Sequence, residues 1–319
     1  MTTHRFTLEP YKGMRTRFNC PSCNKKVFTR YVDTETGEHL SDDVGRCSRE
    51  SNCGYHYKPK EFFADNPQFS KTDNWKESDE HKKKLTPSVS KFPQAVSYVD
   101  CDIFKKSLKR YDANNFVQFL LGKFGTETTT QLIERYYIGT SSHWKGKGAT
   151  VFWQVNADDT IRTGKIILYN SGTGKRVKEP YNHINWVHSV LKLGDFNLKQ
   201  CLFGEHLLKA EPMKPVAIVE SEKTAIIASV YLPQFIWLAV GSLANFKLDV
   251  CEVIRGRKVV LFPDLNGFDK WTTRAKELSK IAHFTVSDLL ETKATEAERK
   301  DGLDIADYLL RFDVKEFQD

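Results

Sequence analysis

Cys20, Cys23, Cys47 and Cys53 are the first residues of this chain whose types and spacing could do chemistry. Cys20-Pro21-Ser22-Cys23 is a C-x-x-C knuckle, and Cys47 and Cys53 form a second pair 23 residues further on. Four thiolates suit the tetrahedral shell of a structural zinc ion, and the segment between the pairs is the size of a hairpin that would fold the knuckles together. The second pair encloses five residues rather than two, so His56 is an alternative ligand to one cysteine. Cys101, Cys201 and Cys251 are isolated and read as small core or surface residues.

A second set of chemical residues is acidic. Val216–Val219 is a short apolar run that ends at Glu220, and a helical pattern starts at Glu222; the run from Lys258 to Phe262 leads to Asp264, with Asn266 and Gly267 behind it. Carboxylates at the carboxyl ends of parallel strands stand where such sheets bind ligands. Two of them can share one Mg²⁺ or Mn²⁺, which keeps waters or substrate phosphates in the rest of its shell. Asp304 and Asp307 either face the same edge or place favourable charge at the start of the last helix.

A third set is basic. Lys145, Lys147, Arg162, Lys165, Lys175, Arg176 and Lys178 lie within 38 residues against only Asp158 and Asp159, interleaved with Trp144, Phe152, Trp153 and Tyr169. Cations neutralise phosphates and rings stack on bases, which suits single-stranded DNA or RNA. Gly172-Thr-Gly-Lys175 lacks the full spacing of a phosphate-binding loop.

These residues need elements to position them. Residues 1–63 form a cysteine-rich unit with a turn at Asp33–Gly37, too small to be held by a core alone. Residues 64–95 read as a linker, with Asn66-Pro67, Lys82-Lys83-Lys84 and few periodic apolar positions. Residues 96–211 predict an α+β subdomain: one helix from Asp112, a second over Thr128–Tyr136, then a hairpin turning at Asn156–Thr160. Residues 212–319 alternate strands (216–219, 235–240, 258–262) with helices (222–230, 268–281, 303–312), the pattern of a parallel α/β domain. The fold class is thus multidomain, α+β and α/β. Net charge of +7 permits a polyanionic partner, no run is long and apolar enough for a membrane span, and the first residues lack a secretory signal, which predicts a cytoplasmic protein.

In order, the strand–Glu220–helix element, Ala239-Val-Gly241-Ser242 and the strand–Asp264-x-Asn266 element resemble the TOPRIM domain of bacterial primases, topoisomerases and some nucleases. Arg135-Tyr-Tyr-Ile-Gly139, the hairpin and Cys201-Leu-Phe-Gly204 are similar to the polymerase subdomain of zinc-ribbon primases, and the whole looks like the compact primase-like proteins of mobile genetic elements and phages. The resemblance implies catalytic or metal-binding roles for Glu220 and Asp264, and puts Asn266 where the family has a second aspartate, which weakens the metal site. It implies structural Zn²⁺, catalytic Mg²⁺ or Mn²⁺, and nucleotides and a helicase or other replication protein as partners. The function expected is priming on single-stranded DNA in replication, with a TOPRIM nuclease or a catalytically weakened DNA-binding factor as alternatives.

Overall fold

The computed structural model describes residues 5–49, 53–66, 95–144 and 148–317. Most of the interval read as a linker, and Lys145 and Lys147, lie outside the described residues. The chain divides into two compact units, Met1–Gln94 and Ala95–Asp319.

The first unit holds strands β1 (Phe6–Leu8), β2 (Phe18–Asn19), β3 (Lys26–Asp33), β4 (Gly45–Cys47) and β5 (His56–Tyr57), then helix α1 (Pro59–Asp65). They form an antiparallel sheet in the order β1-β3-β4-β5, with β2 also on β3. After β3 the chain turns as expected: the Gly37 N–H donates to the Asp33 carbonyl at 2.8 Å, and the Asp33 carboxylate accepts from the Glu35 N–H at 2.9 Å. Among the described residues, the buried apolar cluster here comprises only Phe28 with Cys20 and Cys47. So small a core needs another stabilising term.

The second unit begins with α2 (Cys101–Ser107) and α3 (Asn115–Tyr136). The two helices expected in this stretch are the two parts of α3, divided at Gly125, whose φ of 75° and ψ of 179° break the helical path. An antiparallel sheet follows, β6 (Gly139–Ser141), β7 (Ala149–Val155), β8 (Ile161–Ile167) and β9 (Ile184–Trp186), then the short helices α4 (Val187–Val190) and α5 (Leu207–Ala210). β7 and β8 are the expected hairpin.

The remaining elements are β10 (Val216–Val219), α6 (Glu222–Tyr231), β11 (Ile236–Ala239), α7 (Leu248–Cys251), β12 (Lys258–Leu261), α8 (Phe268–Glu277), β13 (His283–Val286), α9 (Leu289–Lys293), α10 (Glu296–Asp301) and α11 (Ile305–Leu309). Their strands make a parallel sheet ordered β11-β10-β12-β13. Every residue of β10 and β11 is buried, as in strands covered on both faces. From β10 the chain moves first to β11 on one side and then to β12 and β13 on the other. The winding therefore reverses between β10 and β12 and opens a crevice at their carboxyl ends. The two expected subdomains share one core, in which Phe116, Tyr136, Phe152 and Phe203 pack with Ile218, Trp237 and Leu238. Phe203 also exchanges both backbone hydrogen bonds with Ala239, at 2.9 and 3.1 Å. Among the described residues no helix is long and apolar enough to cross a membrane.

One buried side chain joins α3 to the antiparallel sheet. The Asn114 Oδ1 accepts from the N–H groups of Phe116 and Val117 and from the Thr150 hydroxyl, while its Nδ2 donates to the Gly139 carbonyl and the Thr140 hydroxyl, all within 3.2 Å. Asn114→Ala leaves these groups unpaired and should lower the unfolding free energy by about 3 kcal/mol, read from a urea titration. Asn114→Asp keeps the acceptor side and should recover part of that loss; two indistinguishable variants would contradict this account of the cap.

Candidate functional site

In the first unit, the hairpin formed by β3 and β4 brings the two knuckles face to face. Cys20, Cys23, Cys47 and Cys53 each offer a sulfur, and all four sulfurs lie within 4.8 Å of one another. Two pairs are separated by 3.7 and 3.9 Å, against the roughly 3.8 Å edge of a tetrahedron with Zn–S bonds of 2.3 Å. The four sulfurs fit zinc. The long second knuckle reaches the site because the N–H groups of Cys53 and Gly54 both bond the Arg49 carbonyl, at 2.8 and 3.0 Å, with Gly54 at a φ of 64°. His56 is outside the cluster: its Nε2 hydrogen bonds the Tyr31 hydroxyl at 3.0 Å. Burial pushes the Cys20 and Cys47 thiols up; it acts to raise Cys53 too, but the Tyr55 backbone N–H and neighbouring side chains bring that thiol down to about 7.

In the second unit, the crevice between β10 and β12 is the floor of a cleft of about 700 Å³. Glu220 ends β10, Asp264 lies three residues past β12, and Asp304 and Asp307 enter from the start of α11; all four line the cleft. Asp304 caps α11 by accepting from the Asp307 N–H at 3.0 Å, and its other oxygen accepts from the Thr224 hydroxyl at 2.6 Å. Asp304 and Asp307 thus lie both in the cleft lining and at the start of α11. The Asp264 Oδ1 is buried with no hydrogen-bond partner. Desolvation, then repulsion from Asp304, Glu220 and Asp307, raises its pKa well above the ordinary 3.8. An orphaned acceptor among like charges, with oxygen donors only, fits a hydrated divalent cation. No three of these carboxylates bring oxygens within 4.8 Å of one another, so waters or phosphates would complete the shell.

The same cleft is also lined by basic residues. Lys175, Arg176 and Lys178 are exposed cleft residues on the chain that folds back after β8. The turn is tight: Asn170 accepts from the N–H groups of Gly172 and Thr173 at 3.0 and 2.9 Å, and Gly174 takes a φ of 63° where a Cβ would meet the Phe119 ring at 2.7 Å. Gly172–Lys175 is thus a hairpin turn.

Three of the expected site residues have other partners in the structure. Lys165 lines the cleft but is an ion-pair partner, its Nζ donating to both oxygens of buried Glu222 at 3.1 and 3.2 Å and to the Gly241 carbonyl at 3.1 Å. Arg162 is absent from the cleft lining; its guanidinium lies 4.9 Å over the Tyr98 ring. Asn266 does not line the cleft either. It takes a left-handed φ of 68°, which asparagine tolerates, and its backbone N–H and side-chain amide donate to the Glu291 carboxylate and the Arg299 carbonyl. Its role is to hold the turn after β12 against α9 and α10. Sequence reasoning missed Glu222 as a cleft residue, since a first-turn glutamate gives no distinguishing signal; Tyr169, singled out there as a stacking ring, lines the cleft as well.

Residues 4–68 match a family model described as a zinc beta-ribbon finger, and residues 114–265 match the Domain of unknown function (DUF6371). No curated protein matches the chain. Among solved structures, the chain is similar to the primase fragment of the bacteriophage T7 primase-helicase protein (12% identity, 90% of this chain and 98% of that one, TM-score 0.37). It is also similar to the E. coli primase catalytic core (11%, 66% and 81%, TM-score 0.36) and to the zinc-binding and RNA polymerase domains of the Aquifex aeolicus primase (13%, 98% and 84%, TM-score 0.33).

Elemental analysis should find one zinc per chain, and Cys20→Ser should release it and loosen the first unit while the second stays folded. A zinc-free protein with an ordered first unit would contradict the site. A second outcome concerns Asp264. An acid whose folded pKa is raised holds more protons folded than unfolded, so its stabilising contribution is present below pH 3.8 and lost as pH rises through the folded value. Asp264→Asn, neutral throughout, should therefore raise the Tm of metal-free protein at pH 7 and flatten its fall with pH. A lower Tm would show that the carboxylate is not under electrostatic strain.

Proposed function

We propose that the chain is a primase-like nucleic-acid-handling enzyme that joins nucleotides on a single-stranded template, using a divalent cation held at the carboxylate edge of its parallel sheet. The observation that carries this reading is the mixed lining of the cleft, which holds Glu220, Asp264, Asp304 and Asp307 together with Lys175, Arg176 and Lys178. Such a cleft takes a ligand that is itself an anion and needs a cation. A nucleotide triphosphate and a strand backbone meet both requirements.

When bound, the cation neutralises phosphate oxygens and the charge growing on the leaving group. Asp264 and Asp304 would hold it, the first through its orphaned oxygen. Glu220 accepts the proton of the attacking hydroxyl. Lys175, Arg176 and Lys178 attract the polyanion and hold it against the acidic edge. The zinc ribbon contributes template contact through faces where cations already lie on rings, Arg17 over Tyr11 at 4.6 Å and Arg30 over Phe18 at 3.9 Å.

Incubating the full chain with single-stranded DNA, ribonucleotides and Mg²⁺ or Mn²⁺ should yield short oligomers, and Glu220→Gln and Asp264→Asn should each reduce them by about two orders of magnitude or more. Cleaved template in place of new oligomers would make the protein a nuclease; neither product with either metal would leave a DNA-binding factor. Lys175→Glu, Arg176→Glu and Lys178→Glu together should weaken single-strand binding and flatten the log–log salt slope by about 2. An unchanged slope would move the strand site elsewhere.

A further inference from the structure

Resting on the reading of the cleft as a nucleotide site, we propose that the Tyr169 hydroxyl is a hydrogen-bond donor to a phosphate oxygen of the bound nucleotide. Tyr169 is 1% exposed and lines the cleft, yet its hydroxyl has no partner. Buried hydroxyls are almost always paired, so an orphan at a ligand-sized cleft marks a group whose partner arrives with the ligand.

The side chain cannot turn elsewhere for a partner. Its ring packs on Phe116 at 5.1 Å and Phe152 at 6.0 Å, and its carbonyl accepts from the Asn115 side-chain amide at 2.8 Å. It forms a backbone bridge with Arg176, at the root of the turn that carries the basic residues. Tyr169 therefore belongs to a cleft lined by both basic and acidic residues. Glu222, the acid that acts most strongly on the phenol, is already held by Lys165 through both oxygens. Desolvation, with Glu222 adding to it, pushes the phenol's pKa up, so its O–H is retained for donation, which suits an anion rich in acceptor oxygens. A phosphate drawn to Arg176 and to a cation that Asp264 would hold would supply such an acceptor.

Phenylalanine fits the same space without the hydroxyl, so Tyr169→Phe separates ligand binding from folding. Isothermal titration of the full chain with ATP and Mn²⁺ should show affinity falling about tenfold. The Tm of the metal- and nucleotide-free variant should equal or exceed that of the wild type, because an unpaired buried polar group has been removed. Opposite signs in the two measurements are the signature, since a purely structural role lowers both. Wild-type affinity in the variant, or a loss that tracks a lower Tm, overturns the role of the hydroxyl while the nucleotide site stands. A wild-type protein that binds no ATP with Mn²⁺ overturns the nucleotide site and the hydroxyl's role with it.

Discussion

Carboxylates gathered at one half-buried sheet edge repel each other and cannot all stay ionised without a counter-charge. In this protein the parallel strands β10 and β12 impose that gathering, because the reversal of winding between them places Glu220 and Asp264 at one crevice. The rest of the second unit can be understood as a response. Asp304 and Asp307 are partly neutralised by local donors: the Thr224 hydroxyl, the cap of α11 and, for Asp307, the Lys223 ammonium at 3.7 Å. Asp264 is not: its buried oxygen stays without a donor. Asp264 is thus left electrostatically unsatisfied, a condition that clusters at functional sites.

The antiparallel sheet matters because it reaches across that edge. Lys165 on β8 pairs with Glu222 at the start of α6, and the same ammonium bonds the Gly241 carbonyl beyond β11. Gly241 has a φ of 73°, and a Cβ there would lie 3.2 Å from Glu222 and 3.6 Å from the Lys165 ammonium. A buried pair like this does little for net stability but penalises any arrangement that breaks it. It therefore fixes β8 against the parallel sheet and sets the distance between the basic turn and the acidic edge.

Much of this was legible in the sequence, and what was not has physical causes. The four cysteines, the strands ending at Glu220 and Asp264, and the β7–β8 hairpin all announce themselves through spacing or apolar runs. β13 does not: His283–Val286 lies at the sheet edge with alternating exposed and half-buried residues, so it carries no continuous apolar signal. The last helices are short capped turns, Glu296–Asp301 and Ile305–Leu309, whose boundaries are set by Thr295 and Asp304 rather than by periodicity. At the cleft, charge type was readable but not direction. Lys165, Arg162 and Asn266 look equivalent to their neighbours in sequence, yet pairing with Glu222, stacking on Tyr98 and a left-handed turn assign them other work. Tyr169 is the converse, an aromatic read as a stacking ring whose ring is packed in the core and whose hydroxyl is left without a partner at the cleft.

The central claim is that the unpaired oxygen of Asp264 belongs to a divalent cation. Anomalous diffraction at the manganese edge, from crystals of the full chain soaked in Mn²⁺ and a nucleoside triphosphate, tests it directly. The account predicts a peak at coordination distance, about 2.1–2.2 Å, from the Asp264 carboxylate, with phosphate density on the side of Arg176. Manganese bound elsewhere, with the Asp264 oxygen instead taking a hydrogen bond from a protein donor, would contradict it.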